Sequence, residues 1–344
     1  MSSGIVQLIA VGAQDEHIIG DPEISFFTST FKRHSNFSQS LEKQTIQGAV
    51  KNNSMSSIRF ERNGDLLGYT YFTIDNNTNS VDIQDWGRVI DKVELLIGGQ
   101  VIDVQDHDFT EKIAIDTYAQ NVTKSSNGTH PGASARSYFY PLRFFFCEGP
   151  QSAIPLVALQ YHTVDLRIYW GPEASNYNVE AYANYYYLDN EERGMMTSRK
   201  HDILITQVQK NIPSGELVQE LTFNHPVKYI ACSNTNSEST LTSIDNKIKM
   251  SINGTDIGAY KFAKPHYVDI MSYYHTNFVT SPDFFLHCFC LNTSSLQPSG
   301  SLNFSRLDSV KIHSETKPLI DPIYGVNYNI LRVNNGMAGL MYAN

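Results

Sequence analysis

The 344-residue chain is long enough for two domains, and an apolar content of 41% supplies material for two cores. A net charge of −9, with only short basic clusters at Lys32-Arg33-His34 and Arg199-Lys200-His201, excludes the basic face that direct nucleic-acid binding needs. No apolar run approaches the roughly 18 residues that span a bilayer, and the wealth of Tyr, Phe, Asn, Ser and Thr favours strands and turns over helices.

Residues 1–20 read as an N-terminal arm. Ile5, Val6, Leu8, Ile9 and Val11 are apolar, but Gly4, Gly12 and Gly20 break the segment. An apolar arm of this kind is expected to dock on a neighbour or beneath its own domain. It has no basic stretch before the apolar run, so it does not read as a secretory signal. Residues 21–190 follow as a first β-domain. Strands are expected at Ile24–Phe31, Gln44–Val50, Ser57–Phe60 and Gly68–Ile74. A hairpin over Lys92–Val104 turns at Gly98-Gly99, because alternation around a two-residue glycine turn is a strong hairpin signal. A short helix is expected over Phe109–Gln120, with Asp108 as N-cap and Glu111 completing a capping box. Strands Tyr138–Cys147, Ala158–Trp170 and Ala183–Leu188 close the domain.

The polar stretch NEERGMMTSRK (190–200) marks the domain junction, and 191–210 reads as a linker whose end, His201–Gln209, is extended. The second domain, 211–344, starts with strands Leu217–Phe223 and Val227–Cys232. A hairpin over Lys247–Tyr260 turns at Asn253-Gly254. Pro265 opens a short helix, with Tyr267, Ile270, Met271 and Tyr274 on one face at helical spacing. Strands Phe284–Leu291, Ser301–Phe304, Ser309–His313 and Val326–Arg332 complete the chain.

The two domains echo each other. Asp91–Ile102 (DKVELLIGGQVI) matches Asn246–Ile257 (NKIKMSINGTDI), with Lys92, Val93, Leu95, Ile97, Gly99 and Ile102 answered by Lys247, Ile248, Met250, Ile252, Gly254 and Ile257. LVALQYHTVDLRI (156–168) lines up with GSLNFSRLDSVKI (300–312). The hairpins are offset by 155 residues and these strands by 144, so the second copy has 11 fewer residues between the two landmarks. The order fits an all-β fold of two tandem antiparallel eight-stranded jelly-roll β-sandwiches, a double jelly roll, with short helices in connecting loops.

Chemistry is sparse. Asp106-His107-Asp108 with Glu111 is the densest set of possible metal ligands or acid/base groups, but a loop followed by a helix N-terminus is the better account, since the capping box already explains Asp108 and Glu111. Glu191 and Glu192 are adjacent, so their side chains diverge and cannot flank one bond. No HExxH, nucleophile elbow, P-loop or dinucleotide fingerprint occurs. Asn-x-Ser/Thr triplets fall at Asn36, Asn52, Asn76, Asn121, Asn127, Asn253, Asn292 and Asn303, as chance produces in such a composition. Phe144–Phe146 and Tyr185–Tyr187 read as alternating sandwich core or interface aromatics, or as a sugar-stacking surface. Cys147, Cys232, Cys288 and Cys290 read as buried free thiols in a reducing setting. No catalytic, cofactor or metal residue is assigned. Gly98, Gly99, Asn253 and Gly254 are assigned as structural turn residues.

Several segments resemble the major capsid proteins of the nucleocytoplasmic large DNA viruses, of the phycodnavirus and iridovirus type. They are GIVQLIAVGAQD (4–15), DPEISFFTSTFKRHSNFS (21–38), KVELLIGGQVID (92–103), YPLRFFFCEGPQSAIPLVALQYHTVDLRI (140–168), YLDNEER (187–193), HDILITQVQ (201–209), QPSGSLNFSRLDSVKI (297–312) and YGVNYNILRVNNGMAGLMYAN (324–344), in the family's order. The resemblance implies a double jelly roll without enzymatic activity or cofactor. Three copies would form a pseudo-hexagonal homotrimeric capsomer that tiles an icosahedral shell. Partners would be neighbouring capsomers and minor capsid proteins, with no direct nucleic acid and at most indirect contact with an inner viral membrane. The location would be the virion, assembled in the host cytoplasm. Family members are often longer, so this compact chain is expected to have short outer loops. The alternatives are a minor capsid protein of the same fold and a carbohydrate-binding β-sandwich.

Overall fold

The computed structural model describes residues 3–74, 86–118, 139–233, 240–277 and 283–343. Met1–Asn36 and Phe37–Asn344 form separate compact units. In the first, α1 (Ser3–Ile9) and the single turn α2 (Glu16–Ile19) bury no side chain. The Asp15 carboxylate accepts the Gly12 N–H at 2.8 Å between them. The strand expected at Ile24–Phe31 is absent. A strand persists only where its backbone groups find a ladder, and this segment pairs with none.

In the second unit the strands of the first sandwich are β1 (Phe37–Gln44), β2 (Met55–Phe60), β3 (Leu66–Ile74), β4 (Ile90–Ile97), β5 (Gln100–Asp106), β6 (Phe139–Pro141), β7 (Val164–Trp170) and β8 (Val179–Leu188). They pair as β1-β8-β3-β6 in one sheet and β2-β7-β4-β5 in the other, with Ile46–Gln47 added beside β2. The second sandwich is built from β9 (His201–Asn211), β10 (Val218–Glu220), β11 (Pro226–Ser233), β12 (Lys247–Ile252), β13 (Thr255–Asp256), β14 (Phe284–Cys288), β15 (Val310–Ser314) and β16 (Ile323–Asn334). Its sheets run β9-β16-β11-β14 and β10-β15-β12-β13. Each sandwich therefore winds first-eighth-third-sixth and second-seventh-fourth-fifth, which is the jelly-roll order. Even the irregularities repeat. β3 bulges against β8 between Leu67 and Thr70, and β11 bulges against β16 between Val227 and Tyr229, each bulge bending its sheet at the same place.

The ladders correct the sequence alignment. Leu95 faces Leu166, and Met250 faces Ile312. With the hairpins 155 residues apart, the seventh strands lie 146 apart rather than 144, so the second copy is shorter by nine residues there. Backbone bonds agree: Gly98 N–H donates to Thr163 at 2.9 Å, and Asn253 N–H donates to Ser309 at 2.8 Å. A slip of two residues preserves which side chains face the core, so the apolar pattern alone is blind to it.

Each sandwich has its own core. Phe72, Trp86, Leu95, Leu166 and Tyr185 are among the buried residues of the first, and Ile230, Met250, Phe285 and Ile312 among those of the second. Residues 201–210, expected in the linker, pair along β16 as the first strand of the second sandwich. Between β8 and β9 lies α4 (Asn190–Ser198), capped by the Asp189 carboxylate on the Glu192 N–H at 2.9 Å. Arg193 ties it to Asp65 at 2.9 Å. The stretches expected as strands at 138–147 and 158–170 are strand only at β6 and β7 among the described residues. Short 3-10 turns take up Phe145–Cys147 and Leu156–Ala158.

Candidate assembly surfaces

The richest polar and aromatic constellation joins the two sandwiches. After β5 the chain enters a π-helical turn, Phe109–Ile113, that runs into α3 (Ala114–Tyr118). Phe109, Ile113, Ala114 and Tyr118 lie buried on the outer face of β9-β16-β11-β14, against Tyr229, Ala231, Phe284, Leu286, Tyr324 and Val326. That sheet is thus apolar on both faces. Fully burying side chains of this size contributes roughly 1.5–3 kcal/mol each.

Asp106 organises the edge of this contact. Its carboxylate accepts the Phe109 N–H at 2.9 Å and the Tyr324 hydroxyl at 2.8 Å, and pairs with Lys210 at 2.6 Å. The helix is therefore capped from Asp106. Asp108, expected as the cap, has helical backbone, makes no cap bond, and pairs with Lys112 at 2.6 Å. Burial works against ionising Asp108, but the Lys112 hydrogen bond and charge hold its carboxyl below the ordinary value. Asp103 is buried deeper, accepting the Val208 N–H at 2.8 Å and the Gln105 amide at 2.9 Å. Burial pushes its carboxyl up to about 7, against the pull of those donors. Gln207 reaches back to the Ile102 carbonyl across the same contact.

Of the possible metal ligands, Asp106 and Asp108 are committed to cations, and His107 lies 3.6 Å from Glu111. Among the described residues no group of three or more His, Cys, Asp or Glu could hold a metal ion. Glu191 and Glu192 sit in the first turn of α4. Phe144, Phe145, Phe146 and Tyr185 are buried and cannot stack on a sugar. The first three bury in succession rather than alternately, because 145–147 is a 3-10 turn. All four cysteines are free thiols; Cys232 and Cys290 are buried, and Cys147 and Cys288 are half-buried. The Asn253 side chain accepts the Asp308 and Ser309 N–H groups at 2.9 and 3.1 Å, and Asn303 caps the turn at Ser305. The Asn52 and Asn292 carbonyls accept the Ser175 and Ser294 N–H groups, and Asn36 is exposed. Asn76, Asn121 and Asn127 fall outside the described residues. At the turns, Gly98 and Gly99 have φ of +59° and +82°, and Asn253 and Gly254 have +49° and +78°.

The helix after β13 presents only part of its expected face. It is a π-helix over Ala263–Ile270, continued by α5 (Met271–His275). Ala263, Tyr267, Val268 and Ser272 are buried and Met271 is half-buried against the core, while Ile270 and Tyr274 are exposed, so two of the four expected positions face inward.

Comparison with known proteins gives one consistent match. Residues 25–181 match a family model described as "Major capsid protein N-terminus", and 192–339 one described as "Large eukaryotic DNA virus major capsid protein". The major capsid protein of Pyramimonas orientalis virus is 31% identical over the whole of both chains. That of Paramecium bursaria Chlorella virus 1 is 29% identical, again over the whole of both. A solved quasi-atomic model of the PBCV-1 virus capsid superposes with a TM-score of 0.76 at 25% identity, covering 93% of this chain and 100% of its own.

Proposed function

The chain belongs to the major capsid proteins of the large eukaryotic DNA viruses, and on that premise we propose that three copies close into a capsomer of pseudo-hexagonal outline. Its role is structural and its place is the virion capsid. The observation that carries the trimer is the common strand winding of the two sandwiches. Two like blocks per chain let a threefold ring offer six similar blocks, and such an outline tiles a flat facet by repetition. Neighbouring capsomers are then the main partners, with minor capsid proteins at the seams and assembly in the host cytoplasm. No catalytic step is assigned, since the acids of the described surface are used in caps and ion pairs. The apolar residues of the arm, 1–20, are proposed to order on the capsomer base. Deleting 2–20 should then weaken lattice formation more than folding.

Mass in solution tests the trimer. Three chains of 38.8 kDa give about 116 kDa. A wild-type chain that stays monomeric at high concentration overturns the reading.

A further inference from the structure

Two thiols meet on the sheet that the helix of the first sandwich covers. Cys288 ends β14, and Cys290 stands two positions further on. Successive strand side chains alternate between faces, so such a pair shares one face. Leu286, Cys288 and Cys290 accordingly pack in the cluster under that helix, whereas Phe285 and Phe289 pack in the core of the second sandwich. Two strand steps span about 6.6 Å, within the roughly 4.4–6.8 Å that separates the Cα atoms of bridged cysteines. The chain bends at Phe289 and Cys290, which draws the two closer. The Cys288 thiol donates a hydrogen bond to the Cys290 sulfur.

A buried cation stands beside the pair. The Lys228 ammonium, on a residue only 3% exposed, donates to the Thr293 and Ser295 carbonyls at 2.6 and 3.0 Å. Burial works against its charge, and the two sulfurs support it. The Phe289 N–H donates to the Lys228 carbonyl at 3.0 Å, so the lysine and the thiols sit on neighbouring strands. Cys288 is half-buried and gives the pair its access to solvent, while Cys290 is 2% exposed. The hydrogen bond from Cys288, helped by the Lys228 charge against the cost of burial, holds the Cys290 thiol below its ordinary value. The same bond and burial push the Cys288 thiol up. A thiolate and its proton donor are thereby set side by side. Cys147 and Cys232 differ: each packs in the core of one sandwich, and burial pushes each thiol up.

We infer that Cys288 and Cys290 form a redox modification site, a dithiol that hydrogen peroxide closes into an intrachain disulfide and that small thiols reopen. The Cys290 thiolate attacks one peroxide oxygen; the O–O bond breaks, and the departing hydroxide takes up a proton to become water. The Cys288 sulfur then displaces the hydroxyl of the Cys290 sulfenic acid, forming the S–S bond, and the Cys288 proton leaves with that hydroxyl as a second water. The sulfurs together lose two electrons, which the peroxide gains. A loop this short gains little from chain entropy, and small strained bridges are the readily reduced ones. The bond is therefore a reversible mark, not a staple. It bears on the loop that follows, where the Leu291 N–H donates to the Ser299 carbonyl at 3.2 Å. Gly300 closes that loop so tightly that an added Cβ would fall 2.6 Å from the Phe289 carbonyl oxygen. The same loop supplies both carbonyls that hold Lys228.

The test is peptide mass mapping of the full chain before and after hydrogen peroxide, which needs no variant. The peptide carrying Cys288 and Cys290 should lose two hydrogens and regain them with dithiothreitol, while Cys147 and Cys232 remain thiols. Cys288→Ser should halt the reaction at a sulfenic acid on Cys290 that dimedone traps, and Cys290→Ser should leave Cys288 unreacted at the same dose. Lys228→Met should slow closure about tenfold, the effect of one pKa unit on the thiolate; an unchanged rate overturns the part given to the lysine. A wild type that keeps all four thiols, that carries Cys290 past the sulfenic stage without a bridge, or that oxidises Cys147 or Cys232 as quickly overturns the site.

Discussion

The sheets β1-β8-β3-β6 and β9-β16-β11-β14 have one topology and two fates. The second is buried on both faces, because the helix of the preceding sandwich lies across it. The first is buried on its inner face and open outside. The strands record the difference. β11 is buried at six successive positions and β16 at its first seven, whereas along β8 Glu180 and Tyr182 are half-exposed between buried Val179, Ala181 and Ala183. Continuous burial marks a sheet covered twice and alternation a sheet covered once. The contrast separates a sheet covered on both faces from one covered on its inner face alone.

The largest effect should separate the two sheets directly. Phe284→Ala empties a fully buried site between β14 and the helix, and should cost about 3–5 kcal/mol in urea unfolding. Tyr69→Ala on the open sheet should cost under about 1 kcal/mol in the isolated chain. Equal losses would mean that both faces are covered in the monomer.

Asp106→Ala should come next, at about 2–3 kcal/mol, because it strands the buried Tyr324 hydroxyl and removes a helix cap. Asp108→Ala removes one i,i+4 pair and should change stability by about 0.5 kcal/mol or less. The reverse ranking would restore Asp108 as the cap.

That pair also shows where sequence reasoning stopped. The duplication was legible because hairpin turns and core-facing apolar residues are local signals, and the capsid family followed from ordered segments. The cap was misplaced by two residues because Asp106, Asp108 and Glu111 all suit a helix start, and only the tertiary demand of Lys210 and Tyr324 selects Asp106. Of the helical face 267–274, Tyr267 and Met271 pack inward and Ile270 and Tyr274 do not, because the segment begins as a π turn, whose period residue types do not announce. Asp103 gave no signal beyond an acid within a strand. Its partner, the Val208 N–H, lies 105 positions away.

Asp103 supplies the pH test of the covered interface. Its folded-state value is raised, so its contribution favours the docked state fully below 3.8 and is lost as pH climbs to about 7. Wild-type stability should therefore fall by about 2 kcal/mol more than that of Asp103→Asn between about pH 5 and about pH 8. Parallel pH profiles would show that Asp103 is ionised in the folded chain at both ends.

The smallest effects distinguish the two copies of the hairpin. Gly99 and Gly254 have positive φ with no atom within 4 Å of an added Cβ, so alanine at either should cost about 1 kcal/mol through backbone strain alone. Gly98 differs. Its Cβ would fall 2.3 Å from the His162 ring, which is held by the Ala338 carbonyl of the second sandwich at 2.9 Å. Gly98→Ala should therefore cost about 2 kcal/mol, strain and displacement of His162 together. At the matching position Asn253 has a side chain, and it bonds the loop before β15. The first turn thus gives up its side chain because the second sandwich sits against it. The second turn keeps one, and it holds the Asp308 and Ser309 N–H groups. If Gly98→Ala proves no worse than Gly99→Ala in thermal unfolding, His162 yields easily and the asymmetry of the two hairpins has another origin.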